Sequence, residues 1–297
     1  MKYLKTENAL NSQTMFYLSK GSYSSLVVQF SVVAAAATLL TKSDFGSLII
    51  NINGKDIVNT DIEFLNRLNN IQGGYADFSS ITAGDAKMFV SIPFSFNSED
   101  KNILDIDETD RALIKLDFAT LTSKIVSGSV SVFGVLQTGV QNYIYNIMQR
   151  PLQVSGAGIV ADSYLIENVS NMFLLDASAA LVSNVQISKD NDSLIDAPAE
   201  VLKNETLYKN RVESDEDFIK LDFVNSNDVR EAVSKSVGFN YTFLMSGTLK
   251  QYFSFLSFDN AKTISSYYKT KFSFDSKNKI DNVSKPLTSL ETKNKVD

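Results

Sequence analysis

Short stretches of the chain alternate between apolar and polar residues. Such a period of two is typical of strands with one buried face, as in antiparallel sandwiches. One of these strands contains Pro93, which cannot donate to a ladder, so we expect an edge or a bulge there. The alternating segments are 88–96, 114–118, 129–132, 219–223, 240–243 and 268–274.

Helix signals are fewer and shorter. Thr60-x-x-Glu63 is a capping box before an apolar stripe, and Thr138-x-x-Gln141 opens a second candidate that Pro151 would end. Asp196, with a proline two residues later, starts a third, and Asn227 could cap a fourth. We therefore predict a few short helices in a chain dominated by strands.

The order of these elements occurs twice. A strand pair turning at Asn53-Gly54 is followed by a helix and three strands, and a pair turning at 189–192 is followed by the same succession. The offset of roughly 125–135 residues is the length of one eight-stranded jelly roll. A competing registration uses the pentapeptide at 114–118, which recurs at 219–223, an offset of 105. We favour the order of elements, because the shorter offset misaligns the hairpin and the helix.

The predicted fold is all-β, with two tandem eight-stranded jelly rolls. We divide the chain into an N-terminal arm (1–20), a first jelly roll (21–137), a linker helix (138–155), a second jelly roll (156–260) and a C-terminal extension (261–297) that holds one strand and a polar basic tail. The apolar window 26–40 is interrupted by Gln29 and Ser31 and is too short to span a bilayer.

The composition argues against most catalysis. The chain has no Cys, His or Trp, which removes thiolate nucleophiles, Ser-His-Asp triads and His-ligated metals. We therefore expect no enzyme and no cofactor. Asp105, Asp107 and Asp110 are weak calcium candidates, although their run lacks the glycine and closing glutamate of an EF-hand loop.

Charge is distributed unevenly along the chain. The net charge of −6 is the balance of basic ends (+2 over 1–20 and +4 over 262–297) and a body of −12. An acidic body repels phosphate, so we expect no direct contact with a genome. The basic ends could touch an anionic surface, such as lipid headgroups or nucleic acid, or simply be solvated. The lysines that could face a membrane or an inner layer are Lys2, Lys5, Lys277, Lys279, Lys285, Lys293 and Lys295.

Two tandem jelly rolls in a chain of this size resemble the double jelly-roll major capsid proteins of icosahedral viruses with an internal membrane. The corticovirus type is nearest in length, and the tectovirus and adenovirus-hexon lineage is broader. The Lys- and Asn-rich composition would suit a lipid-containing Flavobacterium phage. The likeness is one of pattern and order rather than of a diagnostic motif. It is carried by LIININGKDIVNTDIEFLNRL (48–68), KMFVSIPFSF (87–96), ALIKLDFA (112–119), SVSVFGVL (129–136), DFIKLDFV (217–224) and FNYTFLMSG (239–247).

The resemblance implies a structural protein of the virion shell, made in the host cytoplasm. Its trimers would form pseudo-hexameric capsomers that contact neighbouring capsomers, penton and minor capsid or membrane proteins, and the lipid membrane through the termini. The residues alone leave open a two-domain carbohydrate-binding or adhesive β protein. A glycosidase using carboxylates such as Glu213 and Asp215 is a third reading.

Overall fold

In the computed structural model strands dominate. The described residues are 1–7, 12–71, 81–95, 102–139, 141–154, 158–164, 169–175, 182–189, 192–210, 218–222, 239–245 and 249–260. The strands are β1 (Lys2–Glu7), β2 (Gln13–Tyr17), β3 (Gly21–Leu40), β4 (Ser47–Ile52), β5 (Lys55–Asp61), β6 (Ile81–Pro93), β7 (Leu104–Ile106), β8 (Ala112–Asp117), β9 (Ile125–Leu136), β10 (Tyr143–Val154), β11 (Gly158–Tyr164), β12 (Val169–Leu175), β13 (Val182–Lys189), β14 (Asp192–Pro198), β15 (Phe218–Asp222), β16 (Phe239–Met245) and β17 (Leu249–Asn260). The helices are α1 (Ile62–Ile71), α2 (Ala119–Thr122) and α3 (Ala199–Asn210), with a 3₁₀ turn at Lys42–Phe45.

These strands form two jelly rolls with the same strand order. In the first, the sheet β1-β9-β3-β6 faces β2-β8-β4-β5, and β7 adds to β3. In the second, β10-β17-β12-β15 corresponds to the first of these sheets and β11-β16-β13-β14 to the other. In each jelly roll a hairpin leads into a helix (β4-β5-α1 and β13-β14-α3). Three strands then complete the two sheets, β6, β8 and β9 in the first and β15, β16 and β17 in the second, while the short β7 is extra. The double jelly roll predicted from the sequence is confirmed.

The correspondence between the two halves follows the order of elements. Strand β14 repeats β5 at an offset of 137 residues, and β17 repeats β9 at an offset of 124. The repeated pentapeptide falls on β8 in one half and on β15 in the other, and β15 corresponds to β6 rather than to β8. The registration of 105 residues is therefore wrong, and the five-residue identity reflects two unrelated strands with the same alternation.

The helix predicted for 138–155 is wrong, because residues 143–154 are strand β10. All residues from Tyr143 to Ile147 are buried, so both faces of this segment are covered and the alternation of apolar and polar residues is lost. The N-terminal arm predicted for 1–20 is wrong as well. Strand β1 pairs with β9, and β2 pairs with β8, so this segment contributes to both sheets of the first jelly roll.

Other local predictions are confirmed. Asn53 and Gly54 both have positive φ (52° and 90°), as the tight turn between β4 and β5 requires. Pro93 is the last residue of β6, which is the terminal strand of its sheet among the described strands. The apolar window 26–40 lies in β3 at the centre of the same sheet.

Among the described helices, none has the length and apolarity that crossing a bilayer requires.

The first jelly roll has a continuous apolar core that extends to the start of the second. Phe30, on β3, makes edge-to-face contacts with Phe45 and Phe118 at ring-centroid distances of 5.2 and 5.7 Å. Tyr143, Tyr145 and Ile147 of β10 belong to the same buried cluster. The predicted helix after Asn227 and the C-terminal extension 261–297 lie outside the described residues.

Candidate assembly surfaces

Strands β5 and β10 join the two jelly rolls edge to edge. They pair in parallel through Ile147 opposite Val58 and Met148 opposite Asn59. The β10-β17-β12-β15 sheet of the second jelly roll thereby continues from a sheet of the first, giving one eight-stranded path. We call this parallel pair the internal joint.

A glutamine side chain fastens the internal joint beside the start of α1. The Oε1 atom of Gln149 accepts bonds from the Asp61 N–H (2.7 Å) and the Thr60 hydroxyl (3.1 Å), and its Nε2 donates to Asp61 Oδ2 (2.8 Å). Thr60 therefore bonds across the joint instead of closing the capping box that the sequence suggested. Burial raises the pKa of Asp61 and the charge of Glu63 adds to it, while the Gln149 hydrogen bond opposes the rise.

A buried asparagine makes the second polar link between the jelly rolls. Asn102 is 2% exposed, and its Nδ2 donates to the carbonyls of Phe94 (2.6 Å) and Tyr143 (3.1 Å). Its Oδ1 accepts from the N–H groups of Asn142 (2.9 Å) and Tyr143 (3.2 Å). Two donors and two acceptor sites are all in use, so this amide ties the end of β6 to the start of β10.

Apolar contact completes the junction. The ring of Phe64, on α1, packs edge to face on Phe173 of β12 at 5.5 Å, and both side chains are buried. Helix α1 thus lies between the first jelly roll and a strand of the second. The sequence analysis assigned no role to Phe64, Asn102 or Gln149. A polar residue beginning an apolar run, as in Asn102-Ile103-Leu104, is the one signal that could have marked Asn102.

An ion pair links the 3₁₀ turn at Lys42–Phe45 to the residue before β9. Lys124 Nζ lies 2.7 Å from Asp44 Oδ1, whose side chain is only 6% exposed. Burial raises the pKa of Asp44, but hydrogen bonds from Lys124 and from the N–H and hydroxyl of Thr41 outweigh it, so its pKa falls below the ordinary value. The carboxylate is therefore held in its charged form.

The structure does not bring the three calcium candidates together. Asp105 accepts a bond from Ser22 (2.8 Å) on β3. Asp107 accepts from the N–H and hydroxyl of Thr109, and Asp110 accepts from the Asp107 N–H and from Asn53 Nδ2. These bonds stabilise a turn. Among the described residues, no three acidic groups are arranged to hold a metal ion.

Two predicted basic residues lie on the terminal strand β1. Lys2 Nζ donates to Ser19 Oγ (3.3 Å), and Lys5 Nζ lies 5.6 Å from the centre of the Phe16 ring, a cation–π distance. Both lysines are exposed, and so are the neighbouring Tyr3 (57%) and Tyr17 (66%). The tail candidates Lys277, Lys279, Lys285, Lys293 and Lys295, and the acidic residues 213–217, lie outside the described residues.

Sequence comparison alone finds no relative, since no protein-family model and no curated protein matches the chain. Structural comparison does find similar proteins. The major capsid protein P2 of bacteriophage PM2 is similar with a TM-score of 0.62 at 15% identity, covering 87% of this chain and 96% of that one. The major capsid protein of STIV, Sulfolobus Turreted Icosahedral Virus, has a TM-score of 0.63 at 9% identity, with 86% and 95% covered.

The quasi-atomic model of the PBCV-1 virus capsid gives a TM-score of 0.61 at 8% identity and covers 86% of this chain. The chain has the double jelly-roll fold. The match runs across both jelly rolls and the junction between them, and it spans nearly the whole length of the three capsid structures.

Proposed function

We propose that this protein is a structural capsid subunit that forms the shell of an icosahedral virion. The observation that carries the proposal is the match to three viral capsid structures over at least 86% of this chain and at least 92% of theirs. The two jelly rolls supply sheet faces and edge strands for self-association. The absence of His and Cys from the sequence is no handicap to such a role.

In this proposal three copies form a capsomer. Two similar jelly rolls per chain give six per trimer, which makes a pseudo-hexameric outline. Interfaces of such permanent assemblies bury roughly 2,000 Å² or more. Neighbouring capsomers, penton proteins and minor capsid or membrane proteins would be the further partners.

The capsomer would lie over an internal membrane, with the basic ends of the chain toward the lipid. Lys2 and Lys5 are exposed, and the segment 262–297 has a net charge of +4 by sequence, whereas the body between the two ends has −12. Each lysine near an anionic surface contributes on the order of 1 kcal/mol to binding.

Light scattering of the purified protein tests the assembly. We expect a mass close to three times 32.9 kDa. A monomer that persists at high concentration would overturn the proposal.

The membrane part is tested with vesicles. Flotation with vesicles that contain anionic lipid should carry the protein, neutral vesicles should not, and 1 M salt should release it. Equal binding to both kinds of vesicle, or to neither, would argue against basic ends that face lipid.

A further inference from the structure

Two of the edge strands that the structure describes correspond to the two strands of the internal joint. Strand β1 corresponds to β10, and β14 corresponds to β5, by their positions in the two jelly rolls. Inside the chain, β5 and β10 pair in parallel. Within the part of the chain that the structure describes, β1 and β14 are each the last strand of a sheet, and each has one paired side. An edge strand of this kind is a template for pairing with another chain.

The internal repeat predicts which residues of the two edges would meet. Val58 and Asn59 of the internal joint map onto Ile195 and Asp196 of β14. On the other side, Ile147 and Met148 lie opposite Leu256 and Phe255 of β17, which map onto Val132 and Ser131 of β9. These two residues of β9 pair with Lys5 and Thr6 of β1.

We propose that β1 of one copy pairs in parallel with β14 of the next copy, with Lys5 opposite Ile195 and Thr6 opposite Asp196. This repeats the internal joint between chains. The inference rests on the proposed capsid function, since it specifies how the copies in one capsomer contact each other. A joint that links the end of one chain to the start of the next is heterologous, and with six jelly rolls in equivalent positions it closes on itself after three chains.

The polar residues of the two edges suit this pairing. Side chains alternate between the two faces of a strand, so the register places Lys5 beside Ile195 on one face of the sheet and Thr6 beside the exposed Asp196 on the other. Asp196 accepts hydrogen bonds from Asn184 (3.2 Å) and Gln186 (3.4 Å), which fix its carboxylate on the surface of the second jelly roll. Two carboxylates opposite each other at positions 6 and 196 would oppose the contact.

In the same mapping, Glu7 of one copy takes the position that Gln149 has in the internal joint. Glu7 then lies close to the beginning of α3 of the next copy. Pro198, the counterpart of Asp61, lacks the N–H that Gln149 binds, so an amide is not required there. A carboxylate near a helix N-terminus is stabilised by the helix dipole. The difference between glutamine and glutamate at equivalent positions follows from the different helix starts.

Cysteine cross-linking tests the pairing, because the natural chain has no cysteine. In the full-length protein, Thr6→Cys and Asp196→Cys are introduced together and oxidised. Neighbouring strands lie about 4.8 Å apart, within the range that a disulfide spans. We expect a covalent trimer on a denaturing gel that thiol reduction returns to monomer. In the matched control, Val126→Cys replaces Thr6→Cys, and this position on β9 is exposed but lies about 17 Å along the strand from Ser131, the partner of Thr6.

The outcomes separate this inference from the proposed function. A trimer by light scattering that forms no disulfide between chains, or links as well through position 126, would overturn the joint but leave the capsid role standing. A disulfide within one chain would overturn it too. A protein that is monomeric before oxidation would overturn both.

A charge exchange provides a second readout without a new covalent bond. Thr6→Glu alone, which sets two carboxylates opposite each other, should raise the concentration at which trimers dissociate about fivefold, and adding Asp196→Lys should restore it. Equal dissociation in the wild type, the single variant and the double variant would contradict the register.

Discussion

Two buried asparagines, Asn102 and Asn66, should respond in opposite ways to the same substitution. Asn102 is 2% exposed and uses all four hydrogen-bonding positions of its amide, on backbone groups of the residue after β6, the residue before β10 and the first residue of β10. Asn66, on α1, is 0% exposed, and neither atom of its amide has a partner among the described residues. Leucine has nearly the shape of asparagine and cannot hydrogen-bond.

The expected magnitudes follow from this difference. Asn102→Leu removes four bonds and leaves buried backbone groups without these partners, at about 1 kcal/mol per bond and more for each group that water cannot reach, so we expect a loss of at least about 3 kcal/mol. Asn66→Leu removes a buried amide that lacks compensation, so we expect no loss or a gain of about 1 kcal/mol.

Urea unfolding measures both changes. The chain has no Trp but 12 Tyr, so tyrosine fluorescence and circular dichroism report the transition. The free energy of unfolding is compared at one protein concentration, because assembly shifts the midpoint by mass action. If both variants lost the same stability, or if Asn66→Leu lost more, the assignment of Asn102 as the polar link between the jelly rolls would be refuted.

Three further predictions concern single positions, each measured by thermal unfolding. Gly46→Ala should lower the free energy of unfolding by more than about 3 kcal/mol, because Gly46 has φ +74° and a Cβ would lie 1.8 Å from the Asp117 carbonyl oxygen. Gly54→Ala should lower it by only about 1–2 kcal/mol of backbone strain, because Gly54 has φ +90° but a Cβ there would have nothing within 4 Å. Equal losses would be inconsistent with the close approach at Gly46. Asp61→Asn should raise Tm at pH 7 and leave it nearly unchanged at pH 3. Because the pKa of Asp61 is raised, the stability that this group contributes is present below its unfolded pKa and is lost as the pH rises through its folded pKa. A lower Tm at pH 7 would contradict this. Lys124→Met should lower Tm at pH 7, and the loss of Tm should shrink as the pH falls through the lowered pKa of Asp44. The ion pair stabilises the fold above the unfolded pKa of Asp44, and this stabilisation disappears when the carboxylate is protonated. A loss of Tm independent of pH would exclude the ion pair as its cause.

The fold could be predicted where local pattern and global order agree. The turn at Asn53-Gly54 and the alternation in β8 each identify their element alone, and the repeated succession of hairpin, helix and strands indicates two jelly rolls. The pattern failed for β10, because a strand buried on both faces shows no alternation. Its Thr138-x-x-Gln141 start imitates a helix cap.

The assembly surfaces were harder to predict, because they depend on pairs of residues far apart in the sequence. Gln149 bonds Asp61 across 88 positions, and Asn102 bonds Tyr143 across 41. Nothing near either residue indicates its partner. The acidic run 105–110 shows the opposite error, since carboxylates adjacent in sequence bind local backbone and hydroxyl groups instead of one shared ion.

Electron microscopy of the purified particles is the most direct measurement of the capsid proposal. The account predicts projections down the long axis with a hexagonal outline, threefold symmetry and six comparable densities, two per chain. Isolated two-lobed particles, or closed rings with another number of densities, would contradict it.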